Sequence, residues 1–110
     1  MILTFSAAGA SFGIDAGQVR AVGMPVQSIR VPGTPEYITG VAYRAGRLIP
    51  LIDFRVKFGT ADAQPGRRAG VIYVEIDGTC AGIIADTIGE FIPEPETGEA
   101  TRIITANDIV

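Results

Sequence analysis

Val71-Ile-Tyr-Val-Glu-Ile-Asp-Gly-Thr-Cys-Ala-Gly-Ile-Ile-Ala85 decides the fold class. Two apolar runs, Val71–Ile76 and Thr79–Ala85, flank Asp77-Gly78, a pair favoured in the type I′ turns that join antiparallel strands. Downstream, Thr87–Ile92 reads as a strand ended by Pro93, and Pro93–Ala100 as a loop. Arg102–Thr105 reads as a last strand, and Ala106–Val110 as one helical turn or a frayed end.

Upstream the same grammar repeats. Ile2–Ser6 and Ala10–Asp15 alternate at period 2 around Ala7-Ala8-Gly9, a hairpin pattern. Val19–Met24 and Gln27–Val31 are β-like stretches stopped by Pro25 and Pro32. Val31–Glu36 holds two prolines and a glycine, which suits a shaped loop and excludes a regular strand. Tyr37–Tyr43 and Arg47–Ile52 are strands around the Ala45-Gly46 turn. Asp53 is placed to N-cap a short helix over Phe54–Phe58, with Gly59 as its stop. Thr60–Gly70 is the most linker-like stretch. Short strands at regular spacing, with no long helical period, predict an all-β domain of barrel or sandwich type. Val19, Val41, Leu48, Leu51 and Ile83 are expected core residues, and some of them are alternatively an apolar patch for a partner.

The chemistry-bearing residues are sparse. The 110 residues include no histidine and one cysteine, Cys80. This removes Ser-His-Asp and Cys-His catalysis and every His-containing zinc site, and one cysteine builds no all-Cys site. No cofactor, metal or catalytic residue is expected. A net charge of −3 with nine scattered basic residues is not a nucleic-acid footprint. The N-terminal residues lack a signal-peptide pattern, no segment suits membrane insertion, and the lone cysteine fits a reducing cytoplasm.

An internal echo is also present. Arg47-Leu-Ile-Pro-Leu-Ile-Asp53-Phe aligns without gaps on Arg102-Ile-Ile-Thr-Ala-Asn-Asp108-Ile. Chance similarity between two strand-to-cap junctions is the equal alternative.

The run Tyr37-Ile-Thr-Gly-Val-Ala-Tyr-Arg-Ala-Gly-Arg-Leu-Ile-Pro-Leu-Ile-Asp-Phe-Arg-Val-Lys-Phe-Gly59 resembles the CheW-like domain of chemotaxis coupling proteins. Gly13-Ile-Asp-Ala-Gly-Gln-Val-Arg-Ala-Val22, Ile29-Arg-Val-Pro-Gly-Thr-Pro35 and Gly82-Ile-Ile-Ala-Asp-Thr-Ile-Gly-Glu90 resemble further segments of the family, in order. The resemblance implies one CheW-like domain over residues 1–110. It implies two small intertwined five-stranded barrel-like subdomains, divided near the 60–70 loop, with one or two short helical turns. It also implies a cytoplasmic, non-enzymatic scaffold that bridges a chemoreceptor cytoplasmic hairpin and the regulatory domain of a CheA-type histidine kinase. The partner-binding residues expected on this basis are Val19, Arg20, Tyr43, Arg44, Ala45, Arg47 and Arg55. The expected structural positions are Gly40, Gly46, Pro50, Asp53, Gly78, Gly82 and Asp86.

Three departures stand out. The family's receptor-contacting arginine position holds Ala45, with Arg44 one place earlier and expected to face the other way. A third-strand position that is often acidic is Ala21. The strand that usually precedes the closing one is missing between Ile92 and Arg102, so the second subdomain is expected to be incomplete, with an open edge suited to a homodimer. Two other readings remain: a small β-barrel ligand-binding or dimeric structural module, and a homodimeric aspartic-protease-like enzyme using Asp86 in Asp86-Thr-Ile-Gly89.

Overall fold

The computed structural model describes residues 1–24, 28–59, 70–93 and 101–109. Its strands are β1 (Ile2–Ala7), β2 (Ala10–Asp15), β3 (Val19–Gly23), β4 (Ile38–Arg44), β5 (Arg47–Asp53), β6 (Gly70–Ile76), β7 (Thr79–Ala85), β8 (Thr87–Ile92) and β9 (Thr101–Ile103). Among the described residues, the one α-helix, α1, spans Phe54–Lys57, and single 3-10 turns cover Ala16–Gln18 and Ala106–Asp108. The fold is all-β, as expected. Among the described residues, no helix is long and apolar enough to cross a membrane. The linker-like stretch and the Pro93–Ala100 loop lie largely outside the described residues.

Three hairpins turn on residue pairs with positive φ: Ala8-Gly9 (52° and 78°), Ala45-Gly46 (51° and 79°) and Asp77-Gly78 (50° and 82°). This is the twist-matching geometry of two-residue hairpin loops, and it puts glycine where a side chain would be strained. The strands form a four-stranded sheet in the order β8-β1-β2-β9 and a five-stranded sheet in the order β3-β6-β7-β5-β4. Both contain an outer antiparallel strand, a central hairpin and a parallel strand: β9 pairs parallel to β2, and β5 parallel to β7.

The two sheets are built from one repeated unit. Phe5 pairs with Phe12 and Ile88, and Val74 pairs with Ala81 and Val19. Leu3 faces Phe91, and Ile72 faces Val22. Residues 2–23 therefore match residues 71–92 without a gap, and the register shift in the outer pairing falls at the same place in both. Each unit lends its third strand to the other, with β3 on β6 and β8 on β1. The predicted division near residues 60–70 consequently does not separate the sheets, since β6 and β7 pair with strands that precede it.

Alternation along these strands sets the core. Leu3, Phe5, Phe12 and Ile14 from the four-stranded sheet meet Ile52, Ile72, Val74, Ile76 and Ile83 from the five-stranded sheet. Phe54 of α1 and Phe58, its C-cap, complete an aromatic cluster with Phe5 and Phe12, with centroid separations of 4.9–5.8 Å. The opposite face of the five-stranded sheet has its own cluster of Ala42, Ile49, Leu51, Val71, Tyr73 and Ile84.

Three expectations are corrected. Of the expected Gln27–Val31 strand, the described residues 28–31 contribute one isolated bridge, Ile29 to Val41, in place of a strand, because Pro32 and the loop beyond it end the pairing. Leu48, expected in the core, is 68% exposed, because cross-strand pairing puts it beside Tyr43 on the outer face of the β4–β5 hairpin. The echo register is also displaced. Leu51 packs against Gly82 where Ile103 packs against Gly13, and Asp53 and Thr105 are the two N-caps. The gap-free alignment of Arg47 on Arg102 is therefore not the spatial one.

Candidate functional site

The β4–β5 hairpin presents two unlike surfaces on its two faces. Arg44 and Arg47 form a cross-strand pair, as do Tyr43 and Leu48 one step inward, so alternation sends the two pairs to opposite sides.

On the Arg44 side lies an open groove of about 240 Å³, lined by Arg20, Arg44, Ala45, Arg47, Ile49, Tyr73, Glu75 and Cys80 among others. Three strands each contribute cationic side chains, and β6 contributes the acid. Arg20 Nε lies 3.3 Å from Glu75 Oε2, and Arg47 Nη1 lies 4.0 Å from Glu75 Oε1. Arg20 Nη1 also donates to the Gly17 carbonyl at 2.8 Å. Arg47 Nη1 lies 3.1 Å from Cys80 Sγ. The Arg44 guanidinium stacks 4.8 Å from the centroid of the Tyr73 ring, a cation–π contact. Among the described residues, no carboxylate lies within ion-pair distance of Arg44. Two guanidinium groups thus share the Glu75 carboxylate and a third, Arg44, stands beside them, an excess of positive charge in a chain of net charge −3.

On the opposite side Ile29, Val41, Tyr43 and Leu48 with Ser28 line a shallow apolar groove. Ile29 and Tyr43 are 73% and 75% exposed. Large apolar side chains left together in water mark a contact surface.

The remaining predicted residues fall elsewhere. Val19 is half-buried against the core between the sheets. Ala45 is at the turn and lines the arginine groove, and Arg44 lines it too, contrary to the expectation that neighbouring strand positions would separate them. The Ala45-Gly46 turn breaks the alternation, so both side chains line one groove. Gly40 lies under the Ile29 backbone, where a Cβ would sit 2.7 Å from its carbonyl oxygen. Pro50 pairs opposite Val41 within the hairpin.

Arg55 is a correction. It was expected on the partner surface or as ordinary surface charge, yet its side chain is only 3% exposed. Asp53 N-caps α1 by accepting from the Arg55 backbone N–H at 3.0 Å, and grips the guanidinium in a bidentate pair through Nε (2.9 Å) and Nη2 (2.8 Å). Arg55 Nη1 then faces Asp86 Oδ1 at 3.6 Å, while Asp86 Oδ2 accepts the Ala8 N–H at 2.8 Å. The hydrogen bonds to Asp53 hold the Arg55 guanidinium above its ordinary pKa, against the opposing effect of burial. Asp53 and Asp86 are parts of a clamp that joins α1, the β7–β8 junction and the β1–β2 turn. The carboxylate that a protease-like reading needs is thus engaged by a guanidinium and a backbone N–H. A carboxylate dyad needs instead a second acid sharing its proton.

The fold and the site define the class: an intertwined all-β module with two unlike exposed surfaces and an ion cluster that ties its elements together. The model of the CheW-like domain matches residues 1–99, and the chain belongs to that family. It is similar to the chemotaxis protein CheW of Klebsiella aerogenes (29% identity over 90 residues, 82% of this chain and 54% of the relative). It is also similar to the chemotaxis protein CheW of Helicobacter pylori (33% over 81 residues, 66% and 49%). The crystal structure of the scaffolding protein TtCheW from Thermoanaerobacter tengcongensis matches with a TM-score of 0.76 and 37% identity, covering 84% of this chain and 63% of that one. The chain spans about half the length of the curated relatives it matches.

Proposed function

We propose that this protein is a non-enzymatic adaptor of chemotaxis signal transduction that works in the cytoplasm. It couples a chemoreceptor cytoplasmic hairpin to the regulatory domain of a CheA-type histidine kinase. The observation that carries the reading is the β4–β5 hairpin, whose faces present an arginine groove and an apolar patch. One rigid hairpin with two chemically different faces can hold two partners at once and act by placement. In this reading the receptor takes the groove, through Arg20, Arg44, Ala45 and Arg47, and the kinase domain takes the patch around Tyr43 and Leu48.

Purified receptor fragment and kinase regulatory domain test this directly. Arg44→Ala weakens receptor binding only, and Leu48→Ser weakens kinase binding only. Because both side chains are at the surface, both variants keep the fold. An intact fold that binds neither partner at micromolar concentration would overturn the adaptor reading.

The outer edge of β9, which has no neighbouring strand among the described residues, is in the same reading the site where a second copy pairs. Sedimentation showing a strict monomer at high concentration removes that part.

A further inference from the structure

We infer that the arginine groove is a carboxylate-binding site for an acidic side chain of a partner, and that Glu75 is its built-in competitor. The inference rests on reading this groove as a partner surface, and it names the chemistry that the groove selects.

The groove gathers Arg20 from β3, Arg44 and Arg47 from the β4–β5 hairpin, and Glu75 from β6. Glu75 lies between Arg20 and Arg47 and spans them with its two oxygens, at 3.3 and 4.0 Å. That is the position an incoming carboxylate must take to be held by both guanidinium groups. Arg44 stacks on Tyr73 and has no carboxylate of its own among the described residues, so a ligand finds one cation already oriented. Guanidinium groups pair with carboxylates as planar two-pronged donors, so an acidic side chain fits better than a neutral one. The existing pairs are long and solvent-exposed, the kind of ion pair that contributes little and exchanges readily. Glu75 therefore keeps the three cations from repelling one another when the groove is empty, and yields when a partner acid enters.

The same place in the other sheet is different. Thr4, Ser6, Ser11 and Gly89 occupy the repeat positions of Tyr73, Glu75, Cys80 and Arg20. The carboxylate site is thus confined to the five-stranded sheet.

The probe is tri-glutamate peptide, with tri-glutamine as the neutral control, titrated into the 15N-labelled full chain by NMR. Glu75→Gln is expected to bind tri-glutamate roughly tenfold more tightly than the wild type, and Arg47→Ala severalfold more weakly. The side-chain Nε–Hε signals of Arg20, Arg44 and Arg47 are expected to move, and binding to weaken with added salt. Unchanged or weaker binding by Glu75→Gln, or equal binding of tri-glutamine, would overturn the inference. Glu75 is partly exposed, so Glu75→Gln keeps the fold, which the same spectra verify. The peptide test stands apart from the partner assays. Peptide binding without receptor or kinase binding keeps this inference and removes the adaptor reading. Partner binding indifferent to Glu75→Gln and Arg47→Ala does the reverse.

Discussion

The five-stranded sheet buries apolar side chains on both faces, whereas the four-stranded sheet buries them on one. Both carry the same repeated unit, so the difference is informative position by position. On the outer face, Val71, Tyr73 and Leu51 of the larger sheet correspond to Ile2, Thr4 and Ile103 of the smaller. Glu75 and Cys80 correspond to Ser6 and Ser11. β4 covers the parallel strand β5 in the larger sheet, and nothing among the described residues covers β9 in the smaller. The smaller sheet's outer face forms an open groove lined by Thr4, Ser6, Ser11, Thr87, Thr101 and neighbours, with Ser6 and Thr87 hydrogen-bonded to each other. Hydroxyl side chains meet their hydrogen-bonding needs with one another or with water, so this face is stable when wet. Among the described residues, the strand-free edge of β9 and the hydroxyl lining go together.

If the clamp at Arg55 is what holds the two sheets in this relation, breaking it has the largest effect. Arg55→Met leaves Asp53 buried without its counter-charge, an error that typically costs about 3–5 kcal/mol. That is a large part of the ~5–15 kcal/mol by which domains of this size are stable. Urea denaturation is expected to show a collapse in the midpoint or an unfolded chain. Asp86→Asn, at the partly exposed end of the same cluster, should cost about 1 kcal/mol or less. Similar losses for the two variants would show that the cluster is not graded from core to surface as the burial implies.

A pair of glycines sharpens the contrast between the sheets. Gly82 and Gly13 occupy the same repeat position. A Cβ on Gly82 would lie 2.5 Å from Leu51 Cδ2, 3.2 Å from Val71 Cγ1 and 3.4 Å from Tyr73 Cε1, in a packed cluster. A Cβ on Gly13 would lie 2.7 Å from Ile2 Cγ2 and 3.0 Å from Ile103 Cδ1, and Ile103 is 42% exposed, so its end has room to move. Gly82→Ala should therefore cost about 1–3 kcal/mol by overpacking. Gly13→Ala should be near neutral, because removing a strand glycine recovers about 0.5–1 kcal/mol. Equal costs would mean that the smaller sheet's outer face is as tightly packed as the larger one's.

Much of this was legible in the sequence, and the reasons are local. The Asp77-Gly78 and Ala45-Gly46 turns, the period-2 strands and the Asp53 cap are decided by residues within a few positions of each other. The exchange of β3 and β8 between units was not legible, because alternation tells which face a residue takes but not which strand lies beside it. The clamp was hidden for the same reason. Asp53 and Asp86 were recognisable as structural positions, yet only the topology brings Arg55 between them. Leu48 misled because an apolar residue in a strand reads as core, and its exposure depends on which side the arginines of the same hairpin take. The echo aligns in a displaced register in the sequence because Arg47 and Asp53 match Arg102 and Asp108 by residue type. The positions that coincide in space are a glycine contact and an N-cap, which different residue types can fill.

Hydrogen exchange then compares the two parallel strands directly. β5 is bonded on both sides, and β9 on one among the described residues. The Ile104 N–H, which donates to the Gly13 carbonyl at 2.9 Å, is expected to exchange through local fraying. The amides of β5 should exchange only with opening of the larger sheet, and so much more slowly. Protection of Ile104 equal to that of β5 would mean that the smaller sheet opens only with the whole molecule.

The smallest expected effect lies at Lys57, where α1 meets the C-terminal turn after β9. Its Nζ donates to the Asp108 carbonyl at 2.5 Å and lies 4.9 Å from the Tyr37 ring centroid. Burial pushes the ammonium below the ordinary lysine value of 10.5, and nearby Arg102 pushes the same way, against the attraction of Asp108. The folded chain thus releases this proton more readily than the unfolded chain. Below 10.5 the unfolded state holds more protons at this group, so its contribution to stability rises as pH climbs through the folded value towards 10.5, and it is least favourable at neutral pH. The informative quantity is a difference between two variants, because it cancels every group that they share. Urea midpoints of wild type and Lys57→Met, compared at about pH 8 and about pH 10, should converge or cross in favour of the wild type at the higher pH. A constant difference between the two proteins would show that Lys57 is as well solvated in the fold as in the unfolded chain. The contact between α1 and the C-terminal turn would then be looser than the clamp at the other end of the same helix.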